Sequence, residues 1–192
     1  MTTESAAKKL PNLLTFARIL CVPFFVILLV DPTPAERLIA TVIFIIASLT
    51  DWLDGYLARL YHVESSLGAL LDPLADKILT TAALVMLAAT PDPRSIPAWI
   101  VVLILSREFI ISGLRSLAAL NHTVVPASES AKHKTAFLMC ALILLLVHDR
   151  YFILGYLVDF YRAGMLILWL ALILSVYSGI DYMIRLRRVY LT

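Results

Sequence analysis

Apolar stretches of about 20 residues recur along this whole sequence, and they constrain its fold more than any other feature. At about 1.5 Å of rise per residue, a helix of that length crosses a hydrocarbon core about 30 Å thick. The composition agrees, because 61% of the 192 residues are hydrophobic and 16% are charged. The mean hydropathy of +0.89 lies well above that of soluble domains. We therefore expect the lipid bilayer to be the solvent of this chain, as a single membrane domain over residues 1–192.

Short connections that contain proline or glycine separate six apolar segments, which we predict to be transmembrane helices. Their expected limits are 13–30, 37–57, 70–89, 96–117, 135–147 and 163–184. The end of the fifth segment is the least certain to place. Residues 151–160 are also apolar, and they either extend the fifth helix or form an interfacial segment. The predicted fold is an all-α integral membrane protein with six transmembrane helices.

The distribution of Lys and Arg predicts the orientation, because cytoplasmic loops carry an excess of both. One side of the predicted bundle collects Lys8, Lys9, Arg59, Arg115, Lys132, Lys134, Arg185, Arg187 and Arg188. The other side holds Arg37, Arg94, Arg150 and Arg162. We therefore expect both termini in the cytoplasm and a first helix that is retained, since no small-residue cleavage site follows it. The net charge of +2 gives no reason to expect a nucleic-acid partner.

Four aspartates stand where the second predicted helix ends and the third begins. Asp51 and Asp54 are three residues apart, and Asp72 and Asp76 are four apart, so each pair shares one helical face. Both pairs are expected at the cytoplasmic side. Carboxylates gathered in a low-dielectric site repel one another, whereas hard divalent cations turn that repulsion into coordination. The pattern predicts a site for Mg²⁺ or Mn²⁺.

Small side chains and one cation accompany these acids. Gly55 and Ala58 lie on roughly the face of Asp51, where they leave space beside the ions. Arg59 can pair bidentately with a phosphate. A single aspartate here could be an ordinary interfacial residue. Four aspartates together are not explained in that way, because ionisable groups in membrane spans are costly and usually functional. The site suits a pyrophosphate.

The spacing of the whole segment 51–76 resembles the motif of the CDP-alcohol phosphotransferases. Its fixed positions are matched by Asp51, Asp54, Gly55, Ala58, Arg59, Gly68, Asp72 and Asp76. The resemblance implies a donor whose pyrophosphate lies across two divalent ions, an alcohol that attacks the β-phosphorus, and CMP as the leaving group. It also implies that Asp76 is the general base, that Gly68 contacts the donor nucleotide, and that the protein is a homodimer.

Two further segments, residues 11–18 with Pro23 and residues 107–115, are similar to the bacterial phosphatidylglycerophosphate synthases of that family. The similarity implies an enzyme of the bacterial cytoplasmic membrane whose active site faces the cytoplasm, among membrane lipids. It implies CDP-diacylglycerol as the donor, with contacts from Asn12 and Thr15, and glycerol 3-phosphate as the acceptor.

A cationic pocket is required for a phosphorylated acceptor, and the fourth and fifth predicted helices offer one. Glu108, Ser112 and Arg115 share a face at i, i+4 and i+7. Lys132 and Lys134 open the fifth helix at the same level. We expect these side chains to bind the acceptor. The alternative for the three cations is that they only set the membrane topology.

Three other functions compete with this interpretation. A related enzyme could use serine, inositol phosphate or phosphatidylglycerol as the acceptor on the same aspartates. An ion transporter would relay cations through buried acids, but it predicts acids at both membrane faces, whereas the motif acids cluster at one. A structural membrane scaffold leaves the spacing of the aspartates unexplained.

Overall fold

The structure is a computed structural model that describes the backbone of residues 3–61, 66–120, 129–153 and 155–191. It describes side chains in 16–50, 77–118, 133–152 and 155–187, and that of Leu120. Over this part of the chain there are six helices, namely α1 (Thr3–Leu28), α2 (Pro34–Tyr61), α3 (Ser66–Ala89), α4 (Ala98–Leu120), α5 (Glu129–Val147) and α6 (Phe160–Leu191). Each overlaps one predicted segment, which confirms the predominantly helical architecture.

Several helices are longer than predicted. α1 begins at Thr3 rather than at residue 13, and α6 continues to Leu191 rather than ending at 184. α2, which ends at Tyr61, and α3, which begins at Ser66, together contain all the fixed positions of the aspartate motif. The physical reason is that hydropathy marks only the apolar part of a helix, whereas helical hydrogen bonding continues into polar flanks.

A β-hairpin between α5 and α6 corrects the all-α prediction and the expectation that residues 151–160 extend the fifth helix, while an interfacial position of this segment stays a prediction. Strand β1 (Arg150–Ile153) pairs antiparallel with β2 (Tyr156–Asp159). Gly155, between the strands, has a φ of +84°, in the left-handed region that glycine tolerates. The Asp159 carboxylate accepts from Arg150 Nε at 2.8 Å and from the backbone N–H of Arg162 at 3.1 Å. Asp159 therefore closes the hairpin and also caps the N-terminus of α6.

The part of the chain up to Asp92 forms one compact unit in which α1 packs against both α2 and α3, and α2 contacts α3. Phe25 and Phe44 are fully buried, and their ring centroids lie 6.1 Å apart. α2 starts with Pro34 behind a capping box, because the Thr33 N–H donates to Glu36 Oε2 at 2.7 Å and the Glu36 N–H donates to Thr33 Oγ1 at 3.3 Å. These contacts fix the start and the inner face of α2.

The part from Pro93 onward forms a second compact unit, in which α6 packs against α5 and α4. Gly164 permits a close approach of α5 and α6: a Cβ added there would lie 2.8 Å from Leu145 Cγ and 3.0 Å from the Leu145 backbone nitrogen. Ile104, Leu145 and Leu168 are buried in this unit.

Large apolar side chains also cover the outer surfaces of the helices. Leu20, Phe24 and Ile27 of α1 are each about two-thirds exposed, as a lipid-facing surface would be. Within the described residues, one segment, Phe160–Arg187, is long and apolar enough to cross a membrane, with mean hydropathy 2.1 over its most apolar window. Three shorter apolar segments each begin directly after side chains outside the described part, namely Phe16–Leu28, Lys77–Ala89 and His133–Val147. The six-span count and the position of the termini stay predictions.

Candidate active site

The backbone places the predicted metal ligands on two contacting helices. Asp51 and Asp54 are one turn apart in α2, and Asp72 and Asp76 are one turn apart in α3. The described side chains contain no group of three or more His, Cys, Asp or Glu able to hold a metal, and the motif aspartates are not among them. The side chains of the other predicted donor-binding residues also lie outside the described part, namely Asn12 and Thr15 of α1, Gly55, Ala58 and Arg59 of α2, and Gly68 of α3.

A buried arginine of α1 reaches α2 directly before the aspartate motif. Arg18 is 3% exposed, and its Nε donates to the carbonyl oxygen of Ala47 at 3.2 Å. Thr50 Oγ1 donates to the same carbonyl at 2.8 Å. Ala47 stands one helical turn before Asp51. A buried guanidinium must be hydrogen-bonded, so this contact ties α1 to the end of α2 that carries the first aspartate pair.

Two of the predicted acceptor-binding residues contact each other. Lys134 of α5 forms an ion pair with Glu108 of α4, and the two side chains are 8% and 24% exposed. Arg107 Nη1 donates to the same oxygen, Glu108 Oε1, at 2.9 Å. One carboxylate oxygen is therefore shared by two cations from different helices. Lys134 is thus a buried, paired helical residue, unlike the solvated loop lysine that the topology alternative assumes.

Arg107 is in turn held by α6. Its Nε donates to the Ser175 carbonyl at 2.9 Å, and its Nη2 donates to Ser178 Oγ at 2.7 Å. Ser178 Oγ also donates to the Ser175 carbonyl at 3.2 Å. Gly179 leaves room for the arginine, because a Cβ added there would lie 3.2 Å from Arg107 Cγ. The planar guanidinium is thereby fixed on three sides.

Ser178 was missed by reasoning from the sequence, although a signal for it exists. Ser175, Ser178 and Tyr182 occur at i, i+3 and i+7 in an otherwise apolar segment and are all buried. A stripe of polar residues on one face of an apolar helix indicates polar partners on its neighbours.

Of the remaining predicted acceptor residues, Ser112 and Arg115 lie further along α4, and Lys132 lies near the start of α5. Arg115 is exposed, and its Cζ lies 5.4 Å from the centroid of the Tyr182 ring, within cation–π range. The backbone carbonyl of Ser112 accepts from Ser116 Oγ at 3.1 Å. The side chain of Lys132 is outside the described part. The acceptor-binding roles of Ser112, Arg115 and Lys132 therefore stay predictions, and so do those of Glu108 and Lys134, whose contact with each other does not test them.

Comparison with known proteins shows the class of protein to which this chain belongs. The chain matches the family model of CDP-alcohol phosphatidyltransferases over residues 8–177, and it therefore belongs to that family. This confirms the resemblance inferred from the aspartate motif. Proteins of the family are membrane-associated and generally depend on divalent metal ions.

Individual relatives are similar over nearly their whole length. A protein from Rickettsia bellii is 40% identical over 175 residues, which cover 91% of this chain and 93% of the relative. One from Bacillus subtilis is 40% identical over 185 residues, with 90% and 92% covered. Both are named CDP-diacylglycerol–glycerol-3-phosphate 3-phosphatidyltransferase. A relative from Haemophilus influenzae with the same name is 38% identical over 179 residues, which cover 91% of each chain.

Proposed function

We propose that this protein is a phosphatidylglycerophosphate synthase, which transfers the phosphatidyl group of CDP-diacylglycerol to glycerol 3-phosphate and releases CMP. The observation that carries the proposal is the identity of 40% over 91% of the chain with a relative named for this reaction. The described part of the chain supports it through a buried cation, Lys134, that a phosphorylated acceptor requires.

On the donor side, we propose that Asp51, Asp54, Asp72 and Asp76 hold two divalent ions, Mg²⁺ or Mn²⁺. Their one-turn spacing on two contacting helices fits an all-oxygen ligand set. The ions, when bound, neutralise charge on the donor pyrophosphate and orient it. Arg59 pairs with a donor phosphate, while Asn12, Thr15, Gly55, Ala58 and Gly68 shape the donor site.

For the chemical step, Asp76 is the general base. It takes the proton of the acceptor hydroxyl while that oxygen forms a bond to the β-phosphorus, and the bond from this phosphorus to the CMP oxygen breaks. On the acceptor side, Glu108, Ser112, Arg115, Lys132 and Lys134 bind glycerol 3-phosphate. A phosphate dianion and its hydroxyls match this set of cations and hydrogen-bonding groups.

A panel of acceptors tests the reaction. Purified protein in mixed micelles receives CDP-diacylglycerol and either glycerol 3-phosphate, inositol phosphate, serine or phosphatidylglycerol, and CMP release is measured. We expect glycerol 3-phosphate to be the best acceptor. If another alcohol is preferred, the protein is a different member of the same family, and the assignment of the acceptor fails while the donor chemistry stands.

Asparagine substitutions test the metal ligands separately. Each of Asp51→Asn, Asp54→Asn, Asp72→Asn and Asp76→Asn keeps the size of the side chain, and each should remove most activity while the protein still inserts and folds. Chelation with EDTA should inactivate the wild type, and Mg²⁺ or Mn²⁺ should restore it. Full turnover after exhaustive chelation contradicts the metal proposal.

We also propose six membrane spans with both termini and the motif in the cytoplasm, where the nucleotide donor and the acceptor phosphate are available, and a homodimer in the membrane. Cysteine labelling tests the topology after Cys21 and Cys140 are replaced by alanine. A probe that does not cross the membrane should label Asp149→Cys from outside and leave Ser66→Cys unlabelled. The reverse pattern contradicts the orientation. Crosslinking in native membranes tests the dimer.

A further inference from the structure

We propose that Ser178 of α6 is a positioning residue for the acceptor site, acting through Arg107 and Glu108 on Lys134. The hydroxyl holds Arg107 so that this guanidinium shares the Glu108 carboxylate with Lys134, and this shared contact sets where the Lys134 ammonium lies for the acceptor phosphate. The role rests on the proposed function, because it concerns how the same acceptor site is arranged.

The hydrogen bonds of Arg107 fall into two kinds. Two of them end on neutral oxygens of α6, the Ser175 carbonyl at 2.9 Å and Ser178 Oγ at 2.7 Å. The third ends on the charged Glu108 Oε1 at 2.9 Å. Neutral acceptors fix the orientation of the guanidinium without cancelling its charge. The positive charge of Arg107, whose side chain is 13% exposed, is therefore directed at Glu108.

Sharing the carboxylate links the position of the Lys134 ammonium to Arg107. Glu108 and Lys134 alone would form a neutral pair, in which the lysine is occupied by its partner. With Arg107 on the same oxygen, two cations share the one negative charge of Glu108. Lys134 keeps its contact with Glu108, so the position of its ammonium depends on how Arg107 holds that carboxylate.

Ser178→Ala tests the proposal, because it removes only the hydroxyl that orients Arg107 Nη2. Because the lost hydrogen bond acts on the acceptor only through Glu108 and Lys134, the KM for glycerol 3-phosphate should rise about three- to tenfold, less than for a lost direct contact to the phosphate. The kcat and the KM for CDP-diacylglycerol should change by less than about twofold. A loss of packing alone would not single out one substrate.

Ser175→Ala is the matched control. It removes the same single atom from a buried serine of the same helix, three positions earlier. Among the described residues, Ser175 Oγ has no hydrogen-bond partner, and the carbonyl that accepts from Arg107 is retained in the variant. If Ser178→Ala and Ser175→Ala have the same KM for glycerol 3-phosphate, the positioning role is overturned. A fall in Tm with both KM values unchanged also overturns it.

Arg107→Lys provides a second variant that keeps the charge but lacks the planar fork joining Ser178 to Glu108. In this background, Ser178→Ala should add no further rise in the KM for glycerol 3-phosphate, because the contact it removes is already lost. Additive effects of the two substitutions contradict the proposal. A wild type that does not use glycerol 3-phosphate overturns both the proposed function and this role. A wild type that uses it, with no difference between the two serine variants, overturns the positioning role alone.

Discussion

Adding one methyl group to Gly179 should destabilise the protein, whereas the same change at Gly113 should stabilise it. A Cβ at position 179 would lie 3.2 Å from Arg107 Cγ and 3.3 Å from Arg107 Nε. These atoms must retreat by about 0.4 Å to reach an ordinary separation. Arg107 cannot retreat freely, because Nε donates to the Ser175 carbonyl at 2.9 Å and the other two nitrogens are also bonded. At Gly113 the added Cβ would meet nothing within 4 Å.

The expected changes in the free energy of unfolding follow from two opposing contributions, helix propensity and overpacking. Alanine is favoured over glycine in a helix interior by about 1 kcal/mol. At Gly179, overpacking costs about 1–3 kcal/mol, and stretching a hydrogen bond to a charged group adds to it. Gly179→Ala should thus lose about 1–2 kcal/mol net, or about 2–8 °C in Tm, and Gly113→Ala should gain about 2–4 °C.

Thermal unfolding of both variants in one detergent, followed by circular dichroism, measures these shifts. The displaced guanidinium should also raise the KM for glycerol 3-phosphate in Gly179→Ala. If Gly179→Ala raises Tm as much as Gly113→Ala does, Arg107 is not held as tightly as its three hydrogen bonds indicate.

Three further predictions concern other contacts. Tyr182→Leu removes the ring beside Arg115 and should raise the KM for glycerol 3-phosphate about two- to fivefold, whereas Tyr182→Phe keeps the ring and should not; steady-state kinetics decide it. The backbone N–H of Arg162, followed by the Arg150 side chain, holds the pKa of Asp159 below its usual value against the opposing effect of desolvation. The stabilisation by this ionised carboxylate is present above the pKa of an unfolded aspartate and is lost as the pH falls through the lower folded value. Hydrogen-exchange protection of the hairpin should fall over that acidic range, and Asp159→Asn should abolish the pH dependence. Phe44→Ala opens a cavity beside Phe25 and should cost about 3–5 kcal/mol, measured as a fall in Tm of about 10 °C.

The existence of the helices could be predicted from the sequence, but their limits and the hairpin could not. Apolar length alone indicates a helix, and each predicted segment overlaps one helix of the structure. The start of α1 at Thr3 lies in a polar flank that hydropathy does not report. Residues 151–160 are apolar without a clear period, and such a run does not distinguish a strand from a helix. The structure makes it a hairpin that turns beside Gly155 and is closed by Arg150 and Asp159.

The candidate site, too, could be predicted only in part from the sequence. Spacings of three and four residues were sufficient to place Asp51 with Asp54, and Asp72 with Asp76, on one turn of a helix each. The contact of Arg107 with Ser178 joins residues 71 positions apart, and only the packing of α4 against α6 brings them together. Composition carries no information about which helices are neighbours. A local pattern therefore predicts residues within one element, and contacts between elements need the structure.

Lys134 shows why burial helps to decide between a role in topology and a role in chemistry. A lysine that only sets membrane orientation can stay hydrated in a loop, at no cost of desolvation. Lys134 is instead 8% exposed within α5 and paired with a carboxylate of α4. Removing both charges from water costs about as much as their attraction returns, so the pair gains little stability by existing. Stability alone does not account for a buried Lys134, and the proposed binding of an acceptor phosphate would give this charge a function. The proposed role of Ser178 belongs to the same argument, because Ser178 holds the arginine that shares the Glu108 carboxylate with Lys134.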